Sequence, residues 1–491
     1  MKQIQEIRTK EFGKYPEKIL QFGEGNFLRA FVDWMVDKAN RDGHYKGSIV
    51  LCQPIAQGLK DLINEQDGIY TLVMRGVENG EPVEIAEVLT SVSRCINPYE
   101  DYQALMDIAG SPDLEVVVSN TTEAGISYAA GVNADDTPPA SFPAKVTAFL
   151  YERFKVFNGD MSKGLLFLPV ELIDDNGYEL KKLVIRYAQE WNLGKEFLDW
   201  VNNANEFTST LVDRIVTGYP KNDIEYFEKK LGYKDNIIVT SELFNLWVIE
   251  GNKKWADKLP IHKTDANVIW TDDVSPYKKR KVRILNGAHT STVPAAFLAG
   301  YDTVLEFMSD DIFRSFLNGV IYDEIIPTLD MPAEEMKEFA AAVAGRFSNP
   351  YIQHKLLDIA LNSNSKFLAR CMPSLIGYQK TFGKLPEKLT FSLAAFIYLY
   401  KGKMENGNMM GVRRKGDAYQ IRDSEDVLDF FAEVWKMNDV KIVSEKVLGN
   451  TSLWSGEDLN QISGLADKVA AYLQRLENED TADIIASLVE D

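Results

Sequence analysis

Lys18-Ile19-Leu20-Gln21-Phe22-Gly23-Glu24-Gly25-Asn26-Phe27-Leu28-Arg29-Ala30 decides the fold. A short apolar run ends at Gly-x-Gly, and Phe27, Phe31, Trp34 and Met35 then recur at helical spacing, so the pattern predicts a strand, a tight turn and a helix over 27–39. That layout brings backbone N–H groups and a helix dipole onto a pyrophosphate. Gly23 would permit the turn and Gly25 the close approach of phosphate. The third glycine of the dinucleotide fingerprint is missing, because Leu28 stands there, and a plain strand–helix turn is the competing reading.

Outward from this stretch, 48–52 reads as a second buried strand, closed by Gln53-Pro54, where dinucleotide folds usually carry an acidic residue. That position therefore does not separate NAD from NADP. Further apolar runs at 114–118, 165–168, 237–239 and 268–270 alternate with helical patterns at 144–157 and 181–189. Continuous apolar strands between helices predict a parallel sheet covered on both faces. From about residue 293 the chain reads almost only as helix: 294–298, 309–320, 333–344, 352–361, 386–400, 427–437 and 459–476. The fold class expected is α/β, a parallel sheet covered by helices over residues 1–274 followed by an all-α domain over 275–491; the family resemblance given below makes the first a Rossmann-type, doubly wound dinucleotide-binding domain and the second the substrate and catalytic domain.

Composition limits the function. The 491 residues carry 54 Lys and Arg against 73 Asp and Glu, a net charge of −19. That excludes phosphate-backbone binding as the main task, since counterion release needs a basic surface. The three cysteines are far apart and no Cys or His pair has zinc-ligand spacing, so neither a disulfide framework nor a metal site is expected. No run approaches ~18 apolar residues and the first residues lack a signal-peptide pattern. A cytoplasmic protein without membrane or nucleic-acid partner follows; no heptad or apolar stripe reveals the oligomeric state, and a monomer is expected only from the family resemblance drawn below.

Two more stretches carry chemistry. Ser119-Asn120-Thr121-Thr122-Glu123-Ala124-Gly125 follows a strong strand, where small polar residues can line a cofactor crevice or simply cap a turn. Lys278-Lys279-Arg280-Lys281-Val282-Arg283-Ile284-Leu285-Asn286-Gly287-Ala288-His289 is the other. It can be read as a solvated charge run with a core histidine. On a helix, however, Asn286 and His289 share a face about two turns from Lys281, and a lysine, an amide and an imidazole together can bind and polarise a carbonyl.

Taken together, these pieces resemble the mannitol dehydrogenase family of polyol-specific long-chain dehydrogenases. The resemblance rests on Gly23-x-Gly25-x-Phe27-x-Arg29-Ala30, Thr122-Glu123-Ala124-Gly125, Val212-Asp213-Arg214-Ile215, Lys281-x₄-Asn286-x₂-His289 and Arg346-Phe347-Ser348-Asn349-Pro350. It implies a metal-independent NAD-linked oxidoreductase with its active site between the two domains. Lys281 would be the general acid/base, Asn286 would stabilise the oxyanion and His289 would orient the substrate. Phe22, Gly23, Gly25, Asn26, Phe27, Asn120, Thr121, Thr122 and Glu123 would hold the cofactor.

Two departures point away from mannitol: Leu172 replaces an oxyanion-site asparagine, and Asp358 stands where the family has a substrate arginine eight residues before Lys366. The segment 168–174 looks most like the branch that interconverts D-tagaturonate and D-altronate. A sugar-acid substrate needs a cation, and Arg283, Lys366 and Arg370 are the candidates. A fructuronate reductase, a polyol 2-dehydrogenase and a non-catalytic nucleotide sensor are the alternatives.

Overall fold

The computed structural model describes residues 2–7, 15–78, 80–122 and 124–490. The chain divides into two compact units, Met1–Ser275 and Pro276–Asp491.

The first unit is built on six parallel strands: β1 (Glu17–Phe22), β2 (Ser48–Cys52), β3 (Val92–Ile96), β4 (Val116–Ser119), β5 (Leu166–Pro169) and β6 (Glu206–Phe207). Their order is 3-2-1-4-5-6, the doubly wound dinucleotide-binding order. Successive side chains point to opposite faces, and both faces are covered. Ile19, Ile49, Leu51, Val116 and Val118 join one core cluster. Leu20, Phe22, Val50, Cys52 and Val117 join the other. This is why these strands read as unbroken apolar runs rather than alternating ones.

The helix expected over 27–39 is two helices, α1 (Asn26–Ala30) and α2 (Val32–Arg41), broken at Phe31. The carbonyls that a continuous helix would use internally are taken by side chains. Tyr70 Oη donates to Arg29 O at 2.8 Å, and Arg214 Nη1 donates to Ala30 O at 2.7 Å.

The run at 268–270 does form a strand, while that at 237–239 meets one only at its last residue, and both lie outside the main sheet. Val239–Glu242 pairs in parallel with Tyr70–Glu78, which continues as a hairpin into Glu81–Leu89. Val268–Thr271 pairs with Leu246–Glu250 in a three-stranded sheet.

The second unit is helical, organised on the largely buried helices Gly287–Ala299 and Glu387–Leu399. It also carries an antiparallel sheet of Gly402–Glu405, Asn408–Val412 and Ala418–Ile421 that the helical reading lacked. Of the helix expected over 352–361 only Leu356–Ile359 forms. The preceding residues are drawn into an extended bridge, with Val304 N donating to His354 O at 3.0 Å and Leu356 N to Asp302 O at 2.9 Å.

Candidate active site

At the carboxyl end of β1 the chain turns on Gly23, whose φ is +123°. A Cβ there would lie 2.9 Å from Asn120 O, so the position needs glycine both for its backbone angle and for the approach of β4. Gly23 N donates to Cys52 O at 3.0 Å and Asn120 N to Phe22 O at 2.9 Å, tying the ends of β2, β1 and β4 together. The crevice at this switch point is where doubly wound sheets take their ligands.

Gly25 caps α1 with no side-chain hydrogen bond, and a Cβ built on it meets nothing within 4 Å. Open space over uncapped N–H groups fits a pyrophosphate. The side chains nearby hold the loop. Arg29, buried, donates to Glu24 O at 3.1 Å and to Asn26 Oδ1 at 2.8 Å. Phe22 lies in the core edge-on to Phe142, and Phe27 stacks on Phe31 with centroids 5.1 Å apart. Both aromatic side chains therefore shape the loop from beneath, and it is the backbone that faces the crevice.

Beyond β4, Asn120, Thr121 and Thr122 form a second wall. The buried Glu171 carboxylate, just past β5, accepts from Ser119 Oγ (3.0 Å), Thr121 N (2.9 Å) and Thr121 Oγ1 (3.0 Å). Burial raises its pKa, and these donors work against that shift. Thr122 adopts the left-handed region at φ 70°. Glu123 lies outside the described residues. Leu172, next to Glu171, is 65% exposed.

In the second unit, the helix expected to carry Lys281, Asn286 and His289 has an unanticipated irregularity. Lys281–Asn286 is a π-helical turn between α-helical turns, with Gly287 N bonded back to Val282 O. On a regular α-helix, residues five apart are rotated by about 140°. A π turn bonds each residue to the fifth along, which brings Asn286 round to the side of Lys281.

His289 stacks face to face on Phe347, centroids 3.8 Å apart and planes 7° apart, and meets His354 edge-on at 6.0 Å. Its Nε2 is shielded from solvent and has no hydrogen-bond partner among the described residues. Burial first, then the nearby His354 imidazole and the Arg346 and Arg370 guanidiniums, hold its pKa well below the usual imidazole value; the pKa of His354 is itself lowered by burial and by Arg346. The imidazole is therefore neutral, able to donate or accept one hydrogen bond.

The three proposed carboxylate ligands differ. Arg283 is buried, with Nε donating to Ser374 Oγ at 2.7 Å and Nη2 to Thr328 Oγ1 at 3.0 Å, so its guanidinium joins helices. Burial lowers its pKa to about 10. Lys366 and Arg370 lie on Ser363–Arg370, half-buried. Lys366 Nζ donates to Ile359 O at 2.9 Å, and Arg370 Nη1 to Thr290 Oγ1 at 3.3 Å, one residue from His289. Asp358 pairs with Arg422 at the surface, 2.9 Å apart.

Phe347 and Arg346, quoted only as part of a signature, pack or act on His289, and His354 had no sequence signal beyond being one of four histidines. Among the described residues no group of His, Cys, Asp or Glu is placed to hold a metal ion, and no helix is long and apolar enough to cross a membrane.

A dinucleotide-ordered sheet with an open glycine loop, followed by a helical unit bearing a lysine, an amide and an imidazole, defines the architecture of a two-domain dehydrogenase. Comparison with known proteins gives the family. Residues 17–263 match the mannitol dehydrogenase Rossmann domain and residues 273–477 the mannitol dehydrogenase C-terminal domain. The chain belongs to the mannitol dehydrogenase family.

Among its relatives is the altronate oxidoreductase of Enterobacter sp. (strain 638), 47% identical over 468 residues, covering 94% of this chain and 95% of that protein. The altronate oxidoreductase of Shigella flexneri is 46% identical over 469 residues, with the same coverage. The fold is shared with Pseudomonas fluorescens mannitol 2-dehydrogenase in ternary complex with NAD and D-mannitol, at TM-score 0.68 and 22% identity over 98% of this chain and 96% of that one. It is shared too with a substrate-free D-sorbitol dehydrogenase, at TM-score 0.78 and 19% identity over 97% and 96%.

Proposed function

We propose that the protein is an NAD(H)-dependent oxidoreductase that interconverts D-tagaturonate and D-altronate in the cytoplasm, with the first unit binding the cofactor and the second the sugar acid. The observation that carries this reading is the gathering of basic groups about His289. Arg346 and Arg370 act on it electrostatically, and the Lys366 ammonium feels Arg370. Such a field suits a substrate ending in a carboxylate better than a neutral polyol. The names of relatives at 46–47% identity support the same substrate class.

The glycine loop would hold NAD(H) by its pyrophosphate, and the cofactor's nicotinamide would supply or take the hydride. The chain's residues do the rest. Lys281 gives a proton to the carbonyl oxygen in reduction and removes it in oxidation. Asn286 donates its amide N–H to the oxygen as charge develops there. Neutral His289 holds a neighbouring hydroxyl through Nε2, and Arg370 with Lys366 takes the carboxylate. The test is NADH consumption with D-tagaturonate, D-fructuronate and D-fructose in parallel. Turnover on tagaturonate is expected, and turnover chiefly on fructose would replace this reading with a polyol dehydrogenase.

A further inference from the structure

In dinucleotide-binding sheets an acidic side chain at the end of the second strand takes the adenosine ribose, and its charge turns away a 2′-phosphate. Here that position is Gln53, and both ends of its amide are committed to its own loop. Oε1 accepts from Lys60 N at 2.8 Å, while Nε2 donates to Ile55 O and Ala56 O at 3.3 Å each. The amide holds the segment after β2 in place and, being neutral, carries no charge to turn away a 2′-phosphate.

A carboxylate reaches the same place from the glycine loop. Glu24 is only 8% exposed, burial raises its pKa, and the backbone N–H groups of Glu24 itself and Leu59, with the charge of Arg29, favour its ionised form and leave the carboxylate further lone pairs to accept with. A Cβ built on Gly58 would clash with Glu24 Oε1 and lie 2.7 Å from Gln53 Cδ. Gly58 is thus the position that makes room for this carboxylate between the ends of β1 and β2. The cation nearest in sequence, Lys60, could welcome a phosphate, but it is ion-paired to both Asp61 and Glu100.

We propose that Glu24 is the cofactor-selecting residue, its carboxylate accepting the adenosine ribose 2′-hydroxyl and repelling a 2′-phosphate, so that NAD(H) is bound and NADP(H) refused. This rests on the dinucleotide-dependent reading above and names the group that sets its specificity.

The test is direct binding, without turnover. NADH and NADPH affinities are measured by calorimetric titration, alongside 5′-AMP and 2′,5′-ADP as fragments, for the wild type, Glu24→Gln and Gly58→Ala. The second variant displaces the carboxylate from outside while leaving Glu24 itself intact. The wild type is expected to prefer NADH by at least tenfold, and both variants to narrow that ratio by about tenfold, with the fragments following the same order. An unchanged NADH/NADPH ratio in both variants, with NADH still bound, would overturn the role of Glu24 and leave the hydride-transfer reading standing. If the wild type binds neither dinucleotide, that reading falls and the inference falls with it.

Discussion

Glu171 and Thr121 are joined twice: one carboxylate oxygen, Oε1, accepts from the Thr121 backbone N–H at 2.9 Å and from its hydroxyl at 3.0 Å. The other oxygen takes the Ser119 hydroxyl. A side chain beyond β5 therefore sets the backbone that follows β4. Glu171→Ala strips three hydrogen bonds from a buried loop and should cost about 2–3 kcal/mol of stability. Denaturant unfolding will measure this, and NADH affinity should fall in the same variant because the crevice wall loses its shape. Unchanged affinity would show that the loop is held by other contacts.

Lys281→Ala should lower kcat by roughly 10²–10⁴-fold, the usual worth of a positioned acid/base. NADH binding should be untouched, since the variant leaves the glycine loop alone. Stopped-flow turnover beside a binding titration separates the two effects. A loss of binding comparable to the loss of rate would remove Lys281 from the chemistry.

Arg370→Ala should raise KM for the hexuronate by about 10–100-fold, from the loss of a charge-assisted contact. Any residual turnover of an uncharged ketose should change much less. Equal effects on both substrates would mean that Arg370 acts on the helix through Thr290 and not on the carboxylate.

His289 is held neutral by burial and surrounding positive charge, so its folded pKa lies below its unfolded one. Its contribution to stability is present above about pH 6.5 and is lost as pH falls toward the folded value, by about 1.4 kcal/mol per pH unit. Imidazole NMR signals of His289 should stay unshifted from pH 8 to 6. A titration centred near 6.5 would contradict the packing on Phe347.

Glu324 behaves in the opposite sense. It caps Glu387–Leu399 by accepting from Lys388 N and Leu389 N, both at 2.7 Å, yet burial raises its pKa to about 7. A raised carboxyl pKa gives stability that is complete below about pH 4.5 and disappears as pH rises through 7. Glu324→Gln should flatten this decline, so the wild-type Tm should drop more than the variant's between pH 5 and pH 8.

Four strands of the main sheet were legible because they are largely buried on both faces and so read as short apolar runs, as at Ser48–Cys52, whereas Val92–Ile96, with Ser93 and Arg94 inside it, and the two-residue Glu206–Phe207 gave no such signal. The hairpin of Tyr70–Glu78 and Glu81–Leu89 was not, because its second strand is interrupted by three glutamates and a proline, is buried only at Leu89 and so lacks that signal. The glycine loop could be read from Gly23 and Gly25 alone. Glu171, Glu24 and His354 could not, since each matters through a partner far along the chain or through a fold-back that no local spacing records. The break at Phe31 belongs with them: it follows from carbonyls captured by Tyr70 and Arg214, distant in the sequence.

The π turn at Lys281–Asn286 also bears on which changes in chain length this helix could absorb. Such a turn amounts to an α-helix carrying one surplus residue. Deleting a single residue from 282–285 would let the turn relax to α geometry while Lys281 and Asn286, then four apart, kept a common face. The same deletion in Gly287–Ala299 would rotate every later side chain by about 100° and scramble the core. Tolerance to shortening is therefore concentrated at the very turn that carries the proposed catalytic lysine.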